Sequence, residues 1–284
     1  MTNELGIAVR QMQVADISGA MQLKKAENWN QTKEDWQMLM DHNPELCLVA
    51  TCGDQIVGTI TATNYANQVA WIGMMLVSRD FRGMGISKLL LNTIIEKLQD
   101  CKSIKLDATP EGLPVYRKLG FVEEYQISRM IISNLPVLHN SNNSVSSISN
   151  KDLLEISAFD TKVFGVDRSN LIKKLLKRDQ GYLVKRKNHV DGFALGRHGC
   201  TFAQVGPVVA QCAQDAIEVI FQMLVNLSDE ALVMDVLDDK KELKEWLSSL
   251  GFKMQRSFVR MYLKTNLFPG EVNRYFLIGG PEIG

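Results

Sequence analysis

The chain repeats itself, and this constrains its fold more than any other feature. Leu119-Gly120-Phe121, with Arg129-Met130 after it, recurs as Leu250-Gly251-Phe252 with Arg260-Met261 after it. Lys105-Leu106-Asp107-Ala108 is echoed by Val233-Met234-Asp235-Val236. Further upstream, Cys47-Leu48-Val49 and Val57-Gly58 return as Tyr182-Leu183-Val184 and Asp191-Gly192. Echoes that keep their order imply one α/β unit built twice. Residues 139–150, rich in Ser and Asn and free of Asp, Glu, Lys and Arg, separate the copies. Such a stretch cannot bury apolar surface and is expected to be an exposed connector. The expected division is therefore an N-terminal unit 1–138, a linker 139–150 and a C-terminal unit 151–284.

Hydrophobic periodicity sets the elements within each copy. In the first, strands are expected at 7–12, 46–52, 55–65, 69–77, 103–108 and 121–132, and helices at 17–27, after Thr32, at 87–98 and at 112–119. Asp16 is expected to cap the first helix, and Thr32 with Asp35 to form a capping box for the second. In the second copy, helices are expected near 151–158, 168–178, 213–227 and 239–249. Its strands are expected at 181–187, 190–198, 201–209, 231–237 and 252–263. The fold class is thus α/β, with α+β character in a mixed sheet.

Between the strand ending at Val77 and the helix from Ser87 lies Arg82-Gly83-Met84-Gly85-Ile86-Ser87-Lys88. Glycines at a strand-to-helix turn let an anion approach main-chain N–H groups at a helix N-terminus, and pyrophosphate is the natural ligand. Arg82 adds a fixed positive charge. The Gly-Lys of a P-loop is absent, and a dinucleotide fingerprint would need a third glycine where Lys88 stands. The second copy has Gln211-Cys212-Ala213-Gln214-Asp215 at this place, with no glycine pair and an acidic residue that would repel a phosphate.

The loop resembles the Arg/Gln-x-x-Gly-x-Gly/Ala pyrophosphate signature of the GNAT N-acetyltransferases, with Ser87 in place of the last Gly/Ala. Tyr116-Arg117-Lys118-Leu119-Gly120-Phe121 is similar to the Tyr-x-x-x-Gly-Phe segment that follows the fifth strand in that family. A tandem arrangement with a degenerate second half resembles the YitH-like acetyltransferases. That resemblance rests also on Trp29-Asn30-Gln31-Thr32, Trp71-Ile72-Gly73-Met74, Phe164-Gly165-Val166-Asp167-Arg168, Val205-Gly206-Pro207 and the C-terminal Gly279-Gly280-Pro281-Glu282.

The resemblance implies acetyl-CoA (coenzyme A) as cosubstrate and direct attack of an amine on its thioester. The fourth and fifth strands would splay, with the pantetheine arm beside the backbone of Met75, Leu76 and Val77 and the pyrophosphate on Arg82, Gly83, Met84, Gly85, Ile86, Ser87 and Lys88. Tyr116 would donate a proton to the departing thiolate, or pack its ring on the pantetheine. Asp107 is the first candidate for the base that deprotonates the amine, against an ion-pair or turn-capping role. Trp29, Asn30 and Trp71, with Asp167 and Arg168 from the second copy, are candidates for the acceptor site. Core packing for the tryptophans and helix capping for the polar residues are the alternatives. Tyr275-Phe276-Leu277-Ile278 is expected to dock back onto a domain and close the site. The expected acceptor is a small-molecule amine; a protein lysine or N-terminus, or a non-catalytic acyl-CoA sensor, are the other readings.

The chain's 32 basic and 32 acidic residues balance, which gives nucleic-acid or anionic-membrane binding no electrostatic support. No apolar run is long enough to span a bilayer, and a signal-peptide core is missing at the N-terminus. The 5 cysteines form no C-x-x-C pair, which suits reduced thiols in the cytoplasm, and the 4 histidines show no metal-ligand spacing. No metal is expected, and the assembly is expected to be a monomer or homodimer.

Overall fold

The computed structural model describes residues 6–138 and 144–284. The first copy runs β1 (Ile7–Gln11), α1 (Ile17–Ala26), α2 (Lys33–Met40), β2 (Cys47–Cys52), β3 (Gln55–Tyr65), β4 (Val69–Val77), α3 (Ile86–Lys97), β5 (Ser103–Ala108), α4 (Leu113–Lys118) and β6 (Val122–Ile132). The second runs β7 (Val145–Ser147), α5 (Leu153–Phe164), α6 (Ser169–Arg178), β8 (Tyr182–Arg186), β9 (His189–His198), β10 (Ala203–Ala210), α7 (Ala213–Asn226), β11 (Leu232–Leu237), α8 (Lys241–Ser249), β12 (Lys253–Lys264) and β13 (Tyr275–Leu277). β4 reads as an unbroken apolar run, and β10 as one interrupted only by Gln204, because helices or chain segments cover both faces of the sheet there.

Local signals explain most boundaries. Thr32 accepts a hydrogen bond from the Asp35 N–H, and the Asp35 carboxylate accepts one from the Thr32 N–H, so the capping box forms with Asp in the place of Glu. Asp16 does not cap α1 with its side chain as expected. Its carboxylate instead accepts from the Gln13 N–H and closes an ion pair with Arg10 at 2.6 Å.

All the strands join one sheet, ordered β1-β2-β3-β4-β5-β12-β6-β11-β13-β10-β9-β8-β7. The two copies meet at its centre by exchanging their last strands. β12, from the second copy, runs antiparallel to β5 of the first, and β6, from the first, runs antiparallel to β11 of the second. β12 and β6 also pair with each other. The sheet therefore has a pseudo-two-fold between β6 and β12, about which β1 corresponds to β7 and β5 to β11. β13 has no counterpart among the described residues.

The exchange changes the expected division of the chain. Val145–Ser147, placed in the connector from composition, pairs with β8 as β1 pairs with β2, so the second copy includes this strand. Residues 139–143 of that connector lie outside the described residues. The halves also do not close as separate sheets, since each completes the other. One buried apolar cluster accordingly mixes Trp36 and Trp71 of the first copy with Phe164, Ile172 and Tyr275 of the second.

Candidate active site

β4 and β5 run parallel, but their pairing stops early. Val69, Ala70 and Trp71 face Ser103, Ile104 and Lys105, and beyond them the strands part. β4 bulges at the parting point. Its register against β3 shifts between Thr59 and Thr61, and Met74 takes φ +51°. The Thr59 hydroxyl donates to the Met74 carbonyl at 2.8 Å, which holds the bulge. The gap opens into a cavity of about 790 Å³.

Met75, Leu76 and Val77 line one wall of the cavity, and Arg82, Gly83, Gly85, Ile86 and Ser87 close its end. Met84 and Lys88, expected in the same loop, are exposed and do not line it. Gly83 and Gly85 hold φ +80° and +77°, and a Cβ on either would meet nothing within 4 Å, so the loop faces open space. Leu89 is the first residue of α3 whose N–H finds a main-chain acceptor, the Gly85 carbonyl. The preceding N–H groups are left for an anion, as a pyrophosphate requires. Arg82 is held toward the cavity by Glu27 at 2.7 Å, and Arg79 meets the same oxygen at 2.9 Å. Burial pushes the Glu27 carboxyl up, but the two guanidiniums outweigh it and hold the group below the usual glutamate range. Sequence reasoning missed Glu27, which carries no motif of its own.

Tyr116 lines the opposite wall, its ring edge-on to Phe121 at 5.7 Å between centroids. Burial alone raises its phenol to about 12, so the hydroxyl keeps its proton near neutrality. Asp107 also lines the cavity, but the guanidinium of Arg260 spans both its oxygens at 2.9 and 3.0 Å. Burial pushes the Asp107 carboxyl up against the pull of Arg260, but the guanidinium occupies both oxygens and keeps them from an amine. The geometry assigns Asp107 to the ion pair rather than to the base role expected for it.

The rest of the cavity lining is built by both copies. Trp29 and Gln31 come from the loop before α2, and Arg129 from β6. Arg256 and Phe258 come from β12, and Pro281 and Glu282 from the C-terminal segment. The Glu282 main chain packs on β4 so closely that a Cβ on Gly73 would stand 2.7 Å from its Cα. Its carboxylate accepts from Gln31 Nε2 at 2.8 Å and pairs with Arg197. It is thus Pro281 and Glu282 that reach the cavity; Tyr275–Leu277, expected to close the site, docks instead as β13 against β10 and β11. The repeat echo contained Arg129, and the Gly-Gly-Pro-Glu stretch contained Glu282, yet neither signal pointed to a cavity. Arg256 carried no signal at all.

Four expected acceptor residues lie elsewhere. The Asn30 side chain binds the main chain of Thr201 and Phe202, pinning a turn of the second copy. Trp71 is core: its indole N–H donates to the Pro281 carbonyl at 3.0 Å, and Arg260 stacks over its ring. Asp167 accepts from the Ser169 N–H at the start of α6. Arg168 is fully buried, bridging both oxygens of Asp160, the Gly284 main-chain oxygen and the Tyr275 hydroxyl. These polar groups were read as ligands because sequence shows their chemistry but not which partner reaches them first.

The corresponding gap in the second copy is filled by the chain itself. β10 and β11 pair through Ala203–Val205 and Leu232–Met234, then part as β4 and β5 do. β13 enters between them, Leu277 opposite both Val208 and Val236. In the first turn of α7, beside the place where the first copy has its glycine loop, Arg186 holds the Asp215 carboxylate at 2.8 Å.

Comparison with known proteins agrees with this geometry. Residues 16–129 match an acetyltransferase (GNAT) domain model, and residues 156–277 match a second one. The chain is 24% identical over 184 residues to the uncharacterized N-acetyltransferase YitH of Bacillus subtilis (strain 168), covering 64% of this chain and 65% of that protein. It is 27% identical over 189 residues to the holothin acyltransferase of Pseudoalteromonas sp. (strain SANK 73390), covering 66% and 63%. It thus spans just under two thirds of the length of each relative. Among solved structures, a proposed acetyltransferase from Pyrococcus horikoshii superposes with a TM-score of 0.85 at 23% identity, covering 100% of this chain and 98% of that one. A tandem GNAT protein from the clavulanic acid biosynthesis pathway superposes with a TM-score of 0.60 at 11% identity, covering 91% and 98%.

Proposed function

The chain belongs to the GNAT acetyltransferases, with two such domains in tandem, and we propose that it transfers the acetyl group of acetyl-CoA to the primary amine of a small molecule. One observation carries this reading: a single cavity runs from the glycine loop, through the gap between β4 and β5, to an end covered by Phe258 of β12 and by Pro281 and Glu282. An anion site, a slot for an extended arm and a walled acceptor chamber follow one another along it. The second copy and the C-terminal segment narrow the acceptor end, which favours a small amine over a protein chain. The second slot, filled by β13, has no room for a second cosubstrate.

In this reading acetyl-CoA supplies an activated acetyl thioester. Arg82, the main chain of Gly83 to Gly85 and the first turn of α3 hold its pyrophosphate, and the β4 edge at Met75 to Val77 guides its arm. The neutral amine nitrogen forms a bond to the acetyl carbonyl carbon and gives up one proton to solvent as the carbon–sulfur bond breaks. Main-chain N–H groups beside the Met74 bulge stabilise charge on the carbonyl oxygen. Tyr116, kept protonated by burial, gives its proton to the departing sulfur and is reprotonated from solvent. The five free cysteines suit a reducing cytoplasm as the setting.

The test is acetyl-CoA binding by calorimetry, paired with thiol release against a panel of amines, amino acids, polyamines and a lysine peptide. Binding with turnover on a small amine is the expected result. Turnover on the peptide alone would make the chain a protein acetyltransferase. Binding without turnover on any acceptor would make it an acyl-CoA sensor, and absence of binding would overturn the reading.

A further inference from the structure

The acceptor end of the cavity holds a guanidinium with nothing to bind. Arg256 lines it and is partly buried, yet it makes no hydrogen bond or ion pair with any described residue. Among the other charged groups that line the cavity, Asp107 is matched by Arg260, Arg129 by Asp235, Glu282 by Arg197 and Arg82 by Glu27, while the exposed Glu111 makes no ion pair with a described residue. Arg256 stands directly opposite Arg129 across β12 and β6, and a register shift between Met254 and Arg256 places it there. Like charges facing each other on neighbouring strands are unfavourable, and since Asp235 already holds Arg129, it is the charge of Arg256 that is left for an anion. Burial first, and then the charge of Arg129, pull the Arg256 guanidinium down, against smaller opposing pulls from Asp235, Glu111 and Glu27.

The same end holds an unused acceptor. The Gln31 amide is buried, and its N–H group is committed to Glu282. Its Oε1 has no hydrogen-bond partner. Gln31 lines the cavity, and its partner Glu282 lies against Gly73, one residue before the Met74 bulge. An unsatisfied buried carbonyl is costly unless a ligand N–H meets it.

Resting on the transferase reading, we propose that the acceptor is an amine that also bears a carboxylate, its nitrogen donating to Gln31 Oε1 and its carboxylate held by Arg256. The guanidinium fork matches a carboxylate with two parallel hydrogen bonds. A phosphate dianion fits less well, because Glu27, Glu111 and Glu282 line the same cavity. Arg256 thereby sets specificity, and the second copy supplies it to a reaction carried out on the first.

The experiment compares amino acids with their decarboxylated amines as matched pairs, by calorimetric binding to the CoA-saturated protein and by kcat/KM with acetyl-CoA, for the native chain, Arg256→Gln and Arg256→Lys. The native protein is expected to prefer the carboxylate member of at least one pair by tenfold or more. Arg256→Gln should abolish the preference mainly through KM, and Arg256→Lys should restore part of it. Acetyl-CoA affinity should stay within about twofold, and the thermal midpoint of Arg256→Gln should not fall, since the substitution removes a like-charge pair. Preference for the decarboxylated member, binding of neither member, or an unchanged ratio in Arg256→Gln overturns the proposal while acetyl-CoA binding still supports the transferase reading. Failure of the native chain to bind acetyl-CoA overturns both.

Discussion

Asp107 on β5 and Arg260 on β12 face each other across the central exchange and close a two-pronged ion pair in full burial. Asp235 on β11 and Arg129 on β6 do the same on the other side of the pseudo-two-fold. Each pair joins an aspartate of one copy to an arginine of the other. Charges removed from water in this way need their partners, so the pairs tie the two copies into one folding unit and make exchange specific.

Arg260→Ala should destabilise the protein by about 3–5 kcal/mol, because it leaves Asp107 buried and uncompensated. Urea unfolding should lose midpoint in one cooperative transition that includes both copies. Two separated transitions, with only one moved, would show that the copies fold independently.

Residues 1–138 expressed alone lack β12, which leaves β5 and β6 with open edges in the middle of the sheet. That fragment should aggregate, and co-expression with residues 139–284 should recover a stable complex. Size-exclusion chromatography distinguishes this from a fragment that is monomeric by itself.

Gly85→Asp should weaken acetyl-CoA by about 100-fold, or about 2.7 kcal/mol. The substitution strains a φ of +77° and sets a carboxylate where the pyrophosphate belongs. Calorimetry measures the loss, and far-ultraviolet circular dichroism should be unchanged, since the position faces open space.

Tyr116→Phe should lower kcat by about 100-fold with little change in KM, as expected when a general acid is removed and the ring is kept. A matching linkage effect is expected at alkaline pH. The folded phenol ionises near 12 against an ordinary value of 10.0. Its stabilising contribution is whole below about pH 10 and is lost as pH rises toward about 12, where the unfolded chain gives up its proton first. Thermal midpoints measured between those limits should fall less steeply for Tyr116→Phe than for the native chain.

Gly73→Val should lift the C-terminal segment off β4, because any side chain there meets the Glu282 main chain. Hydrogen exchange in residues 279–284 should speed up and transferase activity should fall, while acetyl-CoA binding, which depends on the distant glycine loop, is retained. Unchanged exchange would mean that the segment is anchored by Arg168 and Arg197 alone.

Much of the local structure was legible in the sequence. The Thr32/Asp35 box, the unbroken apolar run of β4 and the glycines at 83 and 85 act through neighbours along the chain, and the strands and helices lie close to where periodicity put them. The duplication was legible too, because repeated residues keep their order whatever they touch. β7 escaped notice because three residues in a Ser/Asn-rich stretch carry too little pattern to read as a strand. β13 was seen only as an apolar segment.

What the sequence determined by itself was therefore the kind of unit, its repetition, and the anion loop that only one copy retains. Tertiary structure decided the partners. Asp107 was a candidate base until Arg260, from the other copy, covered both of its oxygens. Asn30, Trp71, Asp167 and Arg168 were candidate ligands until a turn, the C-terminal segment and a helix end claimed them. Arg256 became notable only because nothing claimed it. The physical reason is that a polar side chain bonds to the first suitable group within about 3 Å: strand exchange brings that group to Asp107 from 153 residues away, whereas Asp167 finds it at Ser169, at the start of the next helix.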